Sequence, residues 1–496
     1  MISSSDELTT YGLAIGGEQR PATGGATYEA LNPFTGQAWA RAPEAGREDV
    51  DRAVGAARGA LDGPWGAMTG ADRAACMRRL AIVLAEEAEH LAAVETRGNG
   101  KLLRETLGQA KALADYYNYF AGMADKLEGA SIPSHKPGYF LYTRREPVGV
   151  VGAIMAWNSP LMLLTWKLAP ALAAGCTVVA KPSPYTPIST LEFARCVERA
   201  GFPPGVFNVV TGVAPELGQW LVSHPGVDKV TFTGSTQTGI AVGKAAMDNM
   251  TRVALELGGK SAQLVFPDAD LDAAATGIVA GVFAATGQTC VAGSRLLVHR
   301  DVHDEVVDRL VAMATAIKLG DPMAPDSEMG PLANAAQLDK VSGLMDRARA
   351  EGATVAHGAC VSASLGGLFY EPTILTDVGP DMEIAREEVF GPVLSVLAFD
   401  TEDEAVALAN RSEFGLAAGV WTESVRRAHR VAHRLQAGSV WVNTYRMVAP
   451  NAPFGGFKMS GIGRENGHEA VYEFTETKTV WVALDDAQPR DPFALG

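Results

Sequence analysis

In the first quarter of the chain Ala, Leu and Val recur at helical spacing with charged residues between them. This predicts long amphipathic helices over 48–61, 72–99 and 103–126. The residues before 28 are polar and glycine-rich and read as an arm or edge. Over 132–147 the period changes to two: Tyr139, Leu141 and Thr143 alternate with Phe140, Tyr142 and Arg144 under flanking prolines, an extended excursion from the main body. From Val148 onward short apolar runs without a polar face, at 148–156, 177–181, 207–210, 229–233 and 252–257, predict strands buried on both sides. Helical patterns separate them, at 161–174, up to about Ala200, at 216–222 and at 238–247. Repeated βαβ units of this kind specify an α/β fold with a doubly wound parallel sheet and right-handed crossovers. The style recurs in strands at 262–266, 295–299, 395–399, 417–421 and 439–443 and helices at 271–285 and 302–317, predicting a second α/β domain. The tail 475–482 alternates again and is suited to pair with the earlier excursion.

Composition narrows the partners. The 496 residues suffice for two or three domains, and 47% hydrophobic content fits a globular chain. A net charge of -15 without a Lys/Arg cluster disfavours nucleic acid and anionic membrane, leaving small molecules as the expected ligands. The start, Met1 to Glu7, has neither a basic region nor an apolar core, and no later run is long enough to span a bilayer, so a cytoplasmic protein is expected. Five scattered cysteines suggest neither a disulfide framework nor a metal site.

Ligands of doubly wound sheets bind beyond the carboxyl ends of the strands, which here carry Trp157, Asn158, Lys181, Gly212, Gly234, Ser235 and Glu256. Gly234-Ser235-Thr236-Gln237-Thr238-Gly239 joins a strand to a helix start, where free N–H groups favour a phosphate; an ordinary turn explains it equally well. Lys181, in Lys181-Pro182-Ser183-Pro184, reads either as a cofactor-binding cation or as a solvated lysine. Glu256, before Gly258 and Gly259, reads as a general base whose pKa burial would raise, or as an acid paired with Lys260. Glu387-Glu388-Val389-Phe390-Gly391-Pro392 reads alone as a helix end. Cys290 lies between Gly287 and Gly293, whose lack of side chains lets the thiol's backbone approach a ligand, although a structural cysteine fits the same segment.

Together these motifs resemble the aldehyde dehydrogenase superfamily over nearly the whole chain. The resemblance rests on Trp157-Asn158, Lys181-Pro182-Ser183, Phe232-Thr233-Gly234-Ser235-Thr236, Glu256-Leu257-Gly258-Gly259-Lys260, Gly287-Gln288-Thr289-Cys290, Glu388-Val389-Phe390-Gly391-Pro392 and Pro453-Phe454-Gly455-Gly456-Phe457-Lys458. It implies an NAD(P)-dependent oxidation of an aldehyde to the free acid, with Cys290 as nucleophile, Asn158 and the Cys290 N–H as oxyanion donors, and Glu256 as base for the deacylating water. Lys181 is grouped with these catalytic residues. Ile154, Met155, Trp157, Lys181, Ser183, Gly212, Gly234, Ser235, Glu388 and Phe390 are implied cofactor contacts. Retention of Glu256 favours acid release over transfer to coenzyme A. The implied domains are a cofactor domain (1–130 and 148–258), a catalytic domain (259–470) and a small β oligomerisation element (131–147 and 471–496) that makes a homodimer or homotetramer.

Two positions depart from the family pattern. Pro184 stands where many NAD-using members carry an acid for the adenine ribose, so NAD is expected and NADP stays open. Ala156 replaces a proline often found before Trp-Asn. Ser159, Leu163, Trp166, Val291 and Val448 are implied to line the aldehyde tunnel, with Ser159 in place of a bulky aromatic, suggesting a medium or branched apolar aldehyde. Arg446 reads as a surface arginine or as a partner for a substrate carboxylate. The competing activity is a cofactor-independent cysteine esterase or acyltransferase, which the absence of a recognisable Cys–His dyad disfavours.

Overall fold

The computed structural model describes residues 8–484 and Phe493. The reading of Met1 to Glu7, and most of the expected oligomerisation element beyond 484, fall outside the described residues.

An eight-stranded sheet is built around Val150–Ile154, Thr177–Lys181, Phe207–Val209, Lys229–Thr233 and Arg252–Glu256. These five strands are parallel, and Val150–Ile154 has Lys229–Thr233 on one side and Thr177–Lys181 on the other. The chain therefore winds outward in both directions from Val150–Ile154, leaving a crevice at the carboxyl ends where the order reverses. All the residues of Val150–Ile154, Thr177–Lys181 and Lys229–Thr233 are buried, as expected of strands covered by helices on both faces. A seven-stranded sheet follows, with Val393–Phe399, Arg295–His299 and Ala262–Val265 at its centre. The tail strand Thr475–Ala483 pairs antiparallel with Tyr139–Pro147 along its full length.

Several elements differ from the sequence pattern. The amino-terminal arm is partly core: Leu13–Ile15 is fully buried and pairs with Phe207–Val209 at the edge of the eight-stranded sheet. Gly461–Ile462 closes the opposite edge by pairing with Arg252–Glu256, so a segment far along the chain joins the first sheet. The expected helix over 72–99 is two helices, Gly70–Glu86 and Ala88–Asn99, separated at Glu87, whose ψ of 5° breaks the helical path. The helix expected to reach 285 ends at Phe283, because Ala285 and Thr286 take left-handed φ values of 53° and 56°. Alternation of apolar residues does not report such a turn, since Ala285 and Thr286 are buried as a helical continuation would be.

No helix among the described residues is long and apolar enough to cross a membrane, and no group of three or more His, Cys, Asp or Glu among them is arranged to hold a metal ion.

Candidate active site

Three loops, at Gly258-Gly259, Cys290 and Glu388, meet through two glycines. At Gly259 a side chain would come within 2.6 Å of the Cys290 carbonyl, and at Gly258 within 2.5 Å of Glu388 Oε2. The Gly259 N–H donates to Glu388 Oε1 at 3.0 Å. The pair of glycines after Glu256 thus lets the thiol loop and the Glu388 loop close on the strand end, as no other residue pair would.

The thiol loop is held from its other side. Gly287 has φ +70°, and a Cβ there would lie 2.1 Å from the Gly391 carbonyl. The Ala285 N–H donates to Glu105 Oε1 at 2.9 Å, Thr286 Oγ1 donates to the Gly330 carbonyl at 3.0 Å, and Gln288 Oε1 accepts from the Ala333 N–H at 2.9 Å. Tyr445 Oη donates to the Val291 carbonyl at 3.0 Å. These bonds offset the cost of two left-handed non-glycine residues, about 1–3 kcal/mol each. They fix the backbone that carries Cys290.

Asn158 follows the central strand of the first sheet. Its Nδ2 donates to the Gln288 carbonyl at 3.0 Å, aiming the amide at the thiol loop with its second N–H unspent. Its own carbonyl accepts from Asn99 Nδ2 at 3.3 Å. Cys290 keeps partial contact with solvent, yet dense packing, followed by the negative charges of Glu388 and Glu256, pushes its thiol up to about 12, while the Val291 and Cys290 N–H groups pull the other way. The resting sulfur is a neutral thiol.

Glu256 is buried, and neither carboxyl oxygen has a hydrogen-bond partner among the described residues. Burial first, then Glu465, raises its pKa well above the carboxylate range; Lys167 and Arg464 oppose the shift. Pairing with Lys260 is not the arrangement found: the Lys260 ammonium is itself buried without a partner, and its electrostatic neighbours are Arg295, Glu388, Lys340 and Glu387. Below Glu256, Lys167 Nζ donates to Thr233 Oγ1 at 2.6 Å and to Glu465 Oε1. Sequence reasoning missed Lys167 and Glu465. The available signal was a single lysine in Pro160–Ala174, a helix that is otherwise almost wholly apolar and entirely buried.

The implied cofactor residues lie along the carboxyl ends of the first sheet. Ile154 and Met155 are buried, the Met155 N–H donating to the Lys181 carbonyl at 3.2 Å. Lys181 does not join Cys290, Asn158 and Glu256: its stem runs past Gly218, its ammonium sits 3.5 Å from the Pro182 carbonyl, and Glu44 is the charge acting on it. Ser183 Oγ accepts from the Tyr185 N–H at 3.4 Å. Ser235 caps the helix Thr236–Met247 by accepting from the Thr238 N–H, and Gly234 is forced by contact with the Phe232 ring. Gly212 packs on Leu217 and Glu44. Trp157 and Phe390 face each other edge to face with centroids 5.3 Å apart, so the two ends of the row meet next to Glu388. A helix start, a glycine-lined strand end and a lysine with little competing hydrogen bonding fit a dinucleotide with its pyrophosphate at the helix N-terminus.

Of the implied tunnel residues, Leu163, Trp166 and Val291 are buried, Ser159 is half-buried and Val448 is exposed. Arg446 is half-buried rather than a free surface residue: its Nη1 donates to the Ala280 carbonyl at 3.0 Å, and Glu105, Tyr445 and Cys290 act on its charge.

Residues 20–480 match the sequence profile described as the aldehyde dehydrogenase family. The chain is 46% identical over 474 residues to the (Z)-2-((N-methylformamido)methylene)-5-hydroxybutyrolactone dehydrogenase of Acinetobacter baylyi, covering 95% of this chain and 97% of the relative. It superposes on the NAD+ complex of an aldehyde dehydrogenase from Bacillus cereus with a TM-score of 0.94 at 46% identity, covering 96% and 97% of the two chains. The betaine aldehyde dehydrogenase of Staphylococcus aureus, in a complex with NAD+ and a BME-modified cysteine, gives a TM-score of 0.95 at 39% identity over 97% and 99%. With the profile spanning most of its length, the chain belongs to the aldehyde dehydrogenase family and is an aldehyde-oxidising enzyme.

Proposed function

We propose that the enzyme oxidises a medium-length aldehyde to its carboxylic acid through covalent attachment to Cys290, with NAD as hydride acceptor. The observation that carries this reading is that a thiol loop, an amide with an N–H to spare and a buried carboxylate without a hydrogen-bond partner among the described residues come together beside the carboxyl ends of the first sheet. Cys290 attacks the carbonyl carbon as its thiol proton is lost to solvent, leaving Glu256 free for the later step. The resulting oxyanion is held by Asn158 Nδ2 and the Cys290 N–H, donors fixed in place before reaction. NAD, which Trp157, Lys181, Ser183, Ser235 and Glu388 would hold, would supply the hydride acceptor whose reduction converts the tetrahedral adduct into a thioester on the sulfur. Glu256 then removes a proton from water as the water attacks the thioester, releasing the acid and restoring the thiol. Leu163, Trp166 and Val291 give the substrate's path an apolar wall, which favours a substrate with an apolar stem.

NAD is favoured over NADP although Pro184 removes the usual acid. Glu44 already acts on the Lys181 charge that a 2′-phosphate would need. The NAD+ complexes of the Bacillus cereus and Staphylococcus aureus relatives support the same choice. The cytoplasmic location belongs to this proposal. So does a homodimer or homotetramer built on the paired strands Tyr139–Pro147 and Thr475–Ala483, whose outer face exposes Tyr139, Phe140 and Trp481. A monomer by light scattering at micromolar concentration contradicts the assembly.

The kinetic test follows nicotinamide absorbance with a panel of aldehydes and both cofactors. Wild type reduces NAD faster than NADP, and Cys290→Ala loses about ten-thousand-fold or more in turnover. No reduction by wild type, or unchanged turnover in the variant, overturns the reading.

A further inference from the structure

Ser159 occupies the position before the helix Pro160–Ala174, where a serine normally accepts a hydrogen bond from the first turn, yet its side chain makes no capping bond. Its Oγ is turned instead to Lys101 Nζ at 2.9 Å. The same ammonium donates to Gln109 Oε1 at 2.7 Å and lies 3.8 Å from Glu95 Oε1. Lys101 is buried, and its backbone is tied to Asn99, whose amide in turn braces the Asn158 carbonyl. The turn Asn99-Gly100-Lys101 therefore grips the pair Asn158-Ser159 at two points.

The direction of the lysine–serine bond is fixed by chemistry. An ammonium has three donors and no acceptor, so Ser159 Oγ must accept and its own hydrogen must go elsewhere. No acceptor for that hydrogen is present among the described residues, and Ser159 remains half-exposed beside the oxyanion donor Asn158. Nearby, Arg446 spends Nη1 on the Ala280 and Ala284 carbonyls and shares the field of Lys101 and Glu105. Lys101 is balanced by Glu95 and Arg446 by Glu105, so the local chemistry offers donors without a net cationic pocket.

We propose that Ser159, oriented by Lys101, is a specificity-determining donor, and that the preferred aldehyde carries an acceptor oxygen on its chain a few atoms from the reacting carbon. This deepens the proposed function and rests on Ser159 facing the aldehyde's path; an apolar stem with one acceptor replaces a wholly apolar substrate.

The matched pair 3-methoxypropanal and pentanal, which differ by one oxygen in place of a methylene, tests it with wild-type enzyme and NAD. Wild type is expected to favour 3-methoxypropanal in kcat/KM by about tenfold, chiefly through KM. Ser159→Ala is expected to bring the ratio near one, and Ser159→Thr, which keeps the hydroxyl, to restore it. Succinic semialdehyde, the anionic arm, should rank with 3-methoxypropanal. A preference for pentanal, a ratio unmoved by Ser159→Ala, or preference for the semialdehyde alone overturns the proposal. Failure of wild type to oxidise any of the three instead overturns the proposed function itself.

Discussion

The two halves of the site solve different problems with different materials. On the cofactor side, at the ends of Thr177–Lys181 and Lys229–Thr233, the functional features are backbone geometry and satisfied polar groups: Ser235 caps a helix, Ser183 closes a turn, Gly234 and Gly212 make room. On the reaction side, Glu256 is buried with no hydrogen-bond partner among the described residues, and burial raises the pKa of both Glu256 and Cys290. A binding surface can be built at little cost to stability. A reacting surface keeps groups that are costly to bury because their proton affinity is what the chemistry uses.

Substitutions on the two sides should therefore separate activity from stability. After loss of the nucleophile or of Glu256, the largest effect is expected from Asn158→Ala, which removes one proposed oxyanion donor: kcat falls about 10²–10³-fold in steady-state assays. Gly287→Ala attacks the scaffold instead, forcing a methyl toward the Gly391 carbonyl at a positive φ, with destabilisation of about 2–4 kcal/mol by thermal or urea unfolding. Ser235→Ala, on the cofactor side, should cost about 1 kcal/mol from the lost cap and raise KM for NAD more than it lowers kcat. A Ser235→Ala variant that lost turnover as severely as Asn158→Ala would erase the distinction between the sides.

Much of the fold was legible because strands buried on both faces leave uninterrupted apolar runs, as Val150–Ile154 and Thr177–Lys181 do. The left-handed turn at Ala285 and Thr286 was not, since the bond that holds it runs from the Ala285 N–H to distant Glu105. Nor was the edge strand Gly461–Ile462, whose pairing spans two hundred residues. At the site, local glycine and strand-end patterns mark Cys290, Asn158 and Glu256 only as candidates, and the roles given to them come from the family resemblance. Lys101 carries no such mark: its meaning comes from Ser159, which is adjacent in space and 58 positions away in sequence. Lys181 is legible as a strand-end cation, but the Glu44 charge that acts on it is not, because Glu44 lies far away in the sequence.

Glu256 links the two halves of the comparison. Its raised pKa means the folded state holds the proton more tightly than the unfolded chain, so ionisation costs stability as pH rises above the unfolded value of about 4.3. At neutral pH, Glu256→Gln is expected to leave the melting temperature no lower than that of wild type. Its activity should also lose the fall that wild type shows when pH drops through the raised pKa. The most direct test is the pre-steady-state time course of this variant with NAD and a good aldehyde, where formation and hydrolysis of the thioester separate. The mechanism predicts a burst approaching one reduced cofactor per subunit, then a steady rate about 10²–10⁴-fold below wild type, with acyl-enzyme on Cys290 by intact mass. Undiminished steady turnover, or a fully folded variant that attaches no acyl group to Cys290 and shows no burst, would contradict Glu256 as the base that frees the product.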